Sequence, residues 1–224
     1  MGVEESIVHD PRHHHPPRRL QRACEAGEEV KERPILFKGE MVRAILGGRK
    51  TQTRRIAKHE RILEITHTVD RGETVCWYGS SGPAEQFSPY KVGDRLWVKE
   101  TFSWCAGGMA AYRATDQEPP RGSYFNEWPP KWKSSLFMPR AASRITLEIE
   151  NVRIERLNDI SEEDAASEGI GDVFADAYLS DGSRAKVKVK KTFAFRRLWE
   201  SINGPGSWGK NPWVWVIEFR SPNE

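Results

Sequence analysis

Ile145, Leu147 and Ile149 alternate with Thr146, Glu148 and Glu150, a two-residue period that fits an extended strand with one buried and one wet face. Val152 and Ile154 carry a similar alternation beyond Asn151, where a bulge or bend fits. The run Trp213-Val214-Trp215-Val216-Ile217-Glu218-Phe219 reads as a buried closing strand, and Leu96 through Phe102, entered by the turn signal Gly93-Asp94, as another. Pro34 to Phe37 adds a short apolar run. Helices are sparser. Met41, Ala44 and Ile45 recur at helical spacing before a Gly47-Gly48 stop, and Ser161 to Asp164 resembles a capping box opening a helix that ends near Gly169. Phe195, Leu198, Trp199 and Ile202 mark an amphipathic helix closed by Asn203-Gly204-Pro205-Gly206. Lys50 to Ile56 leaves the first helix as a turn or a strand. This order predicts an α+β, mainly β fold: a mixed sheet curled into a small barrel, with about three flanking helices and long inserted loops. A doubly wound sheet would need regular strand–helix alternation and a Gly-rich phosphate loop, and neither is present.

Residues 1–33 combine a His13-His14-His15 run, several prolines and many charges with almost no apolar period, and read as a disordered extension. A single domain is expected over 34–221, with insertions near 57–90, 106–135 and 171–190; the last reads as a hairpin or loop turning at Asp181-Gly182. Nine Trp and nine Phe supply its core. No apolar run approaches the roughly 20 residues that span a bilayer, so a cytoplasmic location and no membrane partner are expected. Three widely spaced cysteines, Cys24, Cys76 and Cys105, suggest neither a disulfide framework nor a zinc site. No obligate metal or other cofactor is expected, and the sequence leaves the oligomeric state open. The net charge of +3 is small, but its distribution is not even. Arg49, Lys50, Arg54 and Arg55 cluster, and residues 184–197 hold seven basic side chains and no acid, a footprint that phosphates could use or that simply solvates a surface.

Gly48-Arg49-Lys50-Thr51-Gln52-Thr53-Arg54, following its helix, resembles the signature of the ASCH family, a branch of the PUA-like barrel superfamily. Val92 to Leu96, the acidic segment Leu157 to Glu168 and the closing run Trp215 to Phe219 are similar to later pieces of the same family, in the same order. Phe137 to Ile145 resembles a longer subgroup found in bacterial and bacteriophage genomes. The resemblance spans about residues 34–220. It implies an RNA or nucleoside partner. It also implies kinship with a small bacterial enzyme that hydrolyses the exocyclic amide of N4-acetylcytidine, whose proposed Lys, Thr and Glu fall on Lys50, Thr53 and Glu168. The chain is about twice that enzyme's length, so its insertions could narrow, enlarge or block the pocket.

Amide hydrolysis needs a nucleophile, a base and a group that handles developing charge. Lys50 could serve Thr53 as base if burial or the neighbouring arginines depress its ammonium, with Glu168 orienting it or acting as acid. A carboxylate near Lys50 would oppose that depression, so water activated by Glu168 with Lys50 stabilising the oxyanion is the variant. Lys50 and Thr53 converge only if the backbone between them is irregular, since they would point to opposite faces of a strand. Arg49, Arg54, Arg55, Trp128, Trp132 and Arg140 are the candidates for binding a nucleoside or nucleic acid, through phosphate forks or stacking. The competing expectations are a non-catalytic RNA-binding module that reads modified or structured RNA, and a ribonuclease. The last is weakened because only His59 and His67 lie past residue 15.

Overall fold

A computed structural model describes residues 29–58, 65–70, 73–78, 87–105, 108–116, 131–178 and 183–221. Trp128, most of the expected 1–33 extension and the Asp181-Gly182 turn lie outside the described residues. The architecture is α+β and mainly β. Five strands form one sheet in the order β1 (Glu32–Leu36), β5 (Arg95–Lys99), β8 (Thr146–Arg156), β11 (Trp213–Arg220) and β2 (Gln52–Ile56). The β1–β5 pair is parallel; β5–β8, β8–β11 and β11–β2 are antiparallel, so the sheet is mixed. Two-stranded ribbons are made by β3 (Ile65–Asp70) with β4 (Glu73–Tyr78), by β6 (Phe102–Trp104) with β7 (Ala110–Tyr112), and by β9 (Val173–Tyr178) with β10 (Arg184–Val189). The helices are α1 (Gly39–Leu46), α2 (Glu162–Ser167) and α3 (Lys191–Asn203).

The five-stranded sheet is strongly curled. In a flat sheet its two edge strands, β1 and β2, would lie about 19 Å apart at roughly 4.8 Å per step. Here Arg55 of β2 reaches across and donates from Nη2 to the Leu36 carbonyl of β1 at 2.8 Å. The inside of the curl is the main core, where Leu96, Val98, Leu147 and Ile149 meet Trp215 and Ile217. The alternate residues of β11, Val214 and Val216, pack outward against Leu157, Ala165, Phe195 and Trp199 and so bury α2 and α3 on the sheet's outer face. That two-sided burial explains why β11 reads as a nearly continuous apolar run.

Several details follow the sequence closely. α1 ends at Gly47, and Gly48 takes a left-handed φ of 64°. α2 is capped by the Ser161 hydroxyl, which accepts from the Asp164 amide at 3.0 Å. α3 stops at Gly204, whose φ of 93° no helix continues. The β8–β11 register slips between Glu218, paired with Asn151, and Phe219, paired with Ile149, leaving Glu150 as the extra residue of a bulge. The β9–β10 hairpin also forms, from Val173 to Val189. Two expectations are refined. The strand read from Leu96 to Phe102 breaks at Glu100, and within 106–135 the chain forms β7, which pairs with β6. No helix among the described residues is long and apolar enough to cross a membrane.

Candidate active site

Lys50 sits where α1 hands over to β2. Its amide and that of Arg49 both donate to the Ala44 carbonyl, a tight wrap that turns the chain before the strand begins at Gln52. Lys50 is thus outside the regular ladder, and it instead forms an isolated antiparallel bridge with Glu168, the C-cap of α2. Thr51 extends the join by donating to the Ser167 carbonyl at 2.9 Å. The close fit depends on Gly169, whose φ is 91°; a Cβ there would lie 2.9 Å from the Ala44 Cβ and 3.0 Å from the Lys50 Cβ.

The backbone arrangement delivers two side chains to each other. Lys50 Nζ donates to Glu168 Oε2 at 2.8 Å, to the Glu168 carbonyl at 2.9 Å and to the Gln52 carbonyl at 2.7 Å, filling the three donor positions of an ammonium. The Lys50 side chain has no exposure and that of Glu168 only 4%. Burial, the largest influence, pulls the Lys50 ammonium below the ordinary lysine range; Glu168 pulls it back up, and Arg55 and Arg54 push it further down. Desolvation outweighs the carboxylate.

Glu168 is also the start of a longer network. Its Oε1 accepts from Arg54 Nη1 at 3.4 Å, while Arg54 Nη2 donates to Glu155 at 3.1 Å and to Asp164 at 3.0 Å. Arg153 joins Asp164 at 3.0 Å and pairs with Glu155 and Glu218. Asp164 is raised by its burial, but Arg54 and Arg153 outweigh this and hold its carboxyl below the usual range. Strand register explains the grouping. Arg54, Val216 and Arg153 form one cross-strand row on the outer face beneath α2, while Thr53, Ile217 and Val152 form the next row on the inner face.

The sequence-derived candidates therefore divide. Lys50 and Glu168 are in contact. Thr53 is buried at 4% exposure and lies within β2, and the Lys50 hydrogen bonds go to Gln52 and Glu168 rather than to the Thr53 hydroxyl. The irregular backbone is confined to residues before Gln52. Arg54 serves the internal ion network. Arg55 crosses to β1 and lies 5.3 Å over the Phe37 ring. Arg49 is exposed at the motif's start. Arg140 is held elsewhere, forking onto Glu32 at 2.9 and 3.3 Å, and Trp132 is half-buried beside the bridge from Lys133 to Phe102. Sequence reading missed Glu155, Arg153 and Glu218, whose only signal was their place on the polar phase of strands taken to face water. It also missed Glu100, 1% exposed and gripped by Arg144 at 2.9 and 3.0 Å.

Two hollows flank the motif. One, of about 340 Å³, has Lys50 and Gln52 in its wall with Glu150, Glu163, Asp164 and Glu218, and is rich in carboxylates. The other, of about 280 Å³, lies at the seam between β1 and β2 under α3 and includes Thr53, Phe37, Arg55, Phe195 and Trp199. Lys50 Nζ stands 5.4 Å from the centre of the Phe37 ring, so one aromatic ring separates it from the second hollow. Among the described residues no group of three or more His, Cys, Asp or Glu could hold a metal ion.

Comparison with known proteins finds no matching family model and no matching curated protein. Among solved structures, the chain is similar to the ASCH domain from Lactobacillus crispatus JV V101, at 12% identity, a TM-score of 0.39 and 90% coverage of each chain.

Proposed function

We propose that the chain hydrolyses the exocyclic amide of an N4-acylated cytidine or a related nucleoside, with Lys50, Thr53 and Glu168 as the reacting groups. The observation that carries this reading is the buried Lys50–Glu168 contact of 2.8 Å, formed by residues 118 positions apart. A short lysine–carboxylate contact with a depressed ammonium can pass one proton between its two members. Such a pair supplies what an amide needs: a proton acceptor while the nucleophile attacks the acyl carbon, and a proton donor for the leaving cytosine amine. The likeness of Gly48 to Arg54 and of the Leu157 to Glu168 segment to the ASCH family supports the same assignment.

Two nucleophiles fit the chemistry. Thr53 would use its hydroxyl only if Lys50 left its Gln52 and Glu168 partners to reach it. A water delivered to Glu168 would be activated by its carboxylate while Lys50 stabilises the oxyanion. The second route keeps Lys50 as an ammonium and requires it to turn one of its three hydrogen bonds to the oxyanion. The test is incubation with N4-acetylcytidine, following cytidine by absorbance. Turnover that vanishes in Lys50→Ala and Glu168→Gln supports the reading; no turnover by the wild type overturns it. Retained turnover in Thr53→Val selects the water route.

One observation favours a second reading, RNA binding without catalysis. In the β9–β10 ribbon, Phe174 lies opposite Lys188 and Tyr178 opposite Arg184, so two exposed aromatics and the cations Arg184, Lys186 and Lys188 share a face. Aromatics interleaved with cations are what single-stranded RNA docks on. Under this reading, affinity for an RNA oligonucleotide falls steeply with salt and with Tyr178→Ala; salt-independent or absent binding removes it.

A further inference from the structure

Arg55 is a half-buried cation on which Glu168 acts only from beyond ion-pair distance. Among the described residues it forms no ion pair within 4 Å. Its Nη2 is used on the Leu36 carbonyl, but its Nε–H is buried and has no hydrogen-bond partner. Arg54, its neighbour, meets three carboxylates, so the omission is specific to the residue that faces the other way. Burying a guanidinium with neither a carboxylate nor a full set of acceptors is unfavourable, and such sites are satisfied by something that arrives.

The surroundings indicate what would arrive. The seam hollow holds Lys38, Arg54 and Arg55 in its wall and no Asp or Glu among the described residues. This is the opposite of the neighbouring hollow at Lys50, which is lined by four acids. A second orphan donor is present: Trp199 lines the same hollow, is 5% exposed, and its Nε1–H has no partner. Phe37 and Phe195 supply flat apolar wall. A further hollow of about 580 Å³ shares Arg55, Ile56 and Asn203 with it and continues past Tyr90 and Trp215. Arg55 thus stands in the wall of both hollows.

We propose that the seam between β1 and β2 is an anion-recognition site, taking a small ligand with a planar apolar body and one oxyanion, held by the Arg55 guanidinium and the Trp199 indole N–H. A nucleotide phosphate or an aromatic carboxylate carries that chemistry. The seam also holds Thr53, so it is the pocket of the threonine route, but the proposal concerns the charge a ligand must carry and stands whether or not that ligand is hydrolysed.

The test is isothermal titration of the full chain with four probes: cytidine 5′-monophosphate, cytidine, benzoate and inorganic phosphate. Binding of cytidine 5′-monophosphate at least ten-fold tighter than cytidine identifies the phosphate as the anion; tighter binding of benzoate than of either nucleoside probe identifies a carboxylate. Inorganic phosphate alone should bind weakly, because it leaves the aromatic walls uncovered. The tighter probe should lose at least ten-fold in affinity in Arg55→Leu. Trp199→Phe keeps a ring in place and removes one donor. It should cut the same affinity several-fold in protein whose thermal midpoint shows it to be folded at the titration temperature. Equal binding of charged and uncharged probes, no binding of any probe, or a Trp199→Phe variant with unaltered affinity would each overturn the proposal. Turnover of uncharged N4-acetylcytidine reports separately on hydrolysis, so the two ideas fail by different measurements.

Discussion

Gly169 and Lys50 are packed backbone against side chain, so closely that a methyl group on Gly169 would stand 3.0 Å from the Lys50 Cβ. The contact sets the distance between α2 and the start of β2, and through it the distance between Glu168 and Lys50. Gly169 also has a φ of 91°, which a side chain disfavours. Gly169→Ala should therefore lose about 1–3 kcal/mol in urea unfolding, from strain and overpacking together. It should also lower amide turnover more than Gly204→Ala, which has a similar φ of 93° but nothing within 4 Å of its added methyl.

Removing one member of the buried pair should be worse than removing both. Glu168→Ala leaves the Lys50 ammonium without its carboxylate in a site with no exposure. A loss of about 3–5 kcal/mol is the usual result of breaking such a pair. The double variant Lys50→Met, Glu168→Leu should recover part of that loss while showing no turnover. Denaturant unfolding of the wild type, Lys50→Met, Glu168→Leu and the double variant measures the coupling; additive losses would mean that the contact carries no energy.

The depressed Lys50 ammonium gives stability a slope in alkali. Because its folded value lies below its unfolded one, the unfolded chain binds more protons between the two. Stability then rises with pH through that interval and levels off near the ordinary lysine value of about 10.4. Urea midpoints at about pH 8 and about pH 10 should show this rise in the wild type, and Lys50→Met should flatten it.

Asp164 acts in the other direction. Arg54 and Arg153 hold its carboxyl below the usual range despite its burial, so its contribution is present at neutral pH and is lost as pH falls through its lowered value. Asp164→Asn should shift the acid unfolding midpoint less than it shifts neutral stability, since the wild type has already lost the interaction in acid. Equal losses at both ends of the titration would count against this pairing.

Ser161 tests how far the cap of α2 matters to the site at its opposite end. The helix is only six residues long, and its first turn is tied by one hydroxyl. Ser161→Ala should cost about 1 kcal/mol. Turnover should fall further than Arg140→Ala lowers it, because Glu168 is the C-cap of that same helix while Arg140 is engaged with Glu32.

The central strands of the five-stranded sheet, the helix positions, the bulge region and the capping serine were legible because each is announced by its own neighbours in sequence, whereas β3, β4 and β7 fall within the expected insertions. Ile145 to Ile149 alternate, Gly204 stops α3, and Ser161 precedes an acidic turn. The pairing of Lys50 with Glu168 has no such local sign; residues 118 apart meet only because α2 packs beside the start of β2. Resemblance to a family supplied it where periodicity could not. The ion network was illegible for a related reason. Arg153, Glu155 and Glu218 occupy polar phases that a single sheet would give to water, and only the packing of α2 over that face turns them inward. Glu100 was hidden by its setting in a strand-like run, where a charged residue reads as an edge. The seam with its lone guanidinium was illegible too, because it follows from which two strands fail to pair.

The extra residue at Glu150 divides β8 into two halves of opposite parity. Before it, odd-numbered Leu147 and Ile149 are buried; after it, even-numbered Ile154 is. One residue thus works as a frame shift within a continuous strand, handing the outer face to Arg153 and Glu155. Deleting Glu150 would remove the bulge and place Asn151 directly after Ile149, still opposite Glu218, so every later side chain would keep its present face. The shift is therefore one of numbering: a relative without the extra residue keeps the same faces but counts them one position earlier. Distant relatives aligned without a gap at this point would match apolar to charged positions through the whole second half of the strand, and their kinship would be invisible in the very segment that assembles the site.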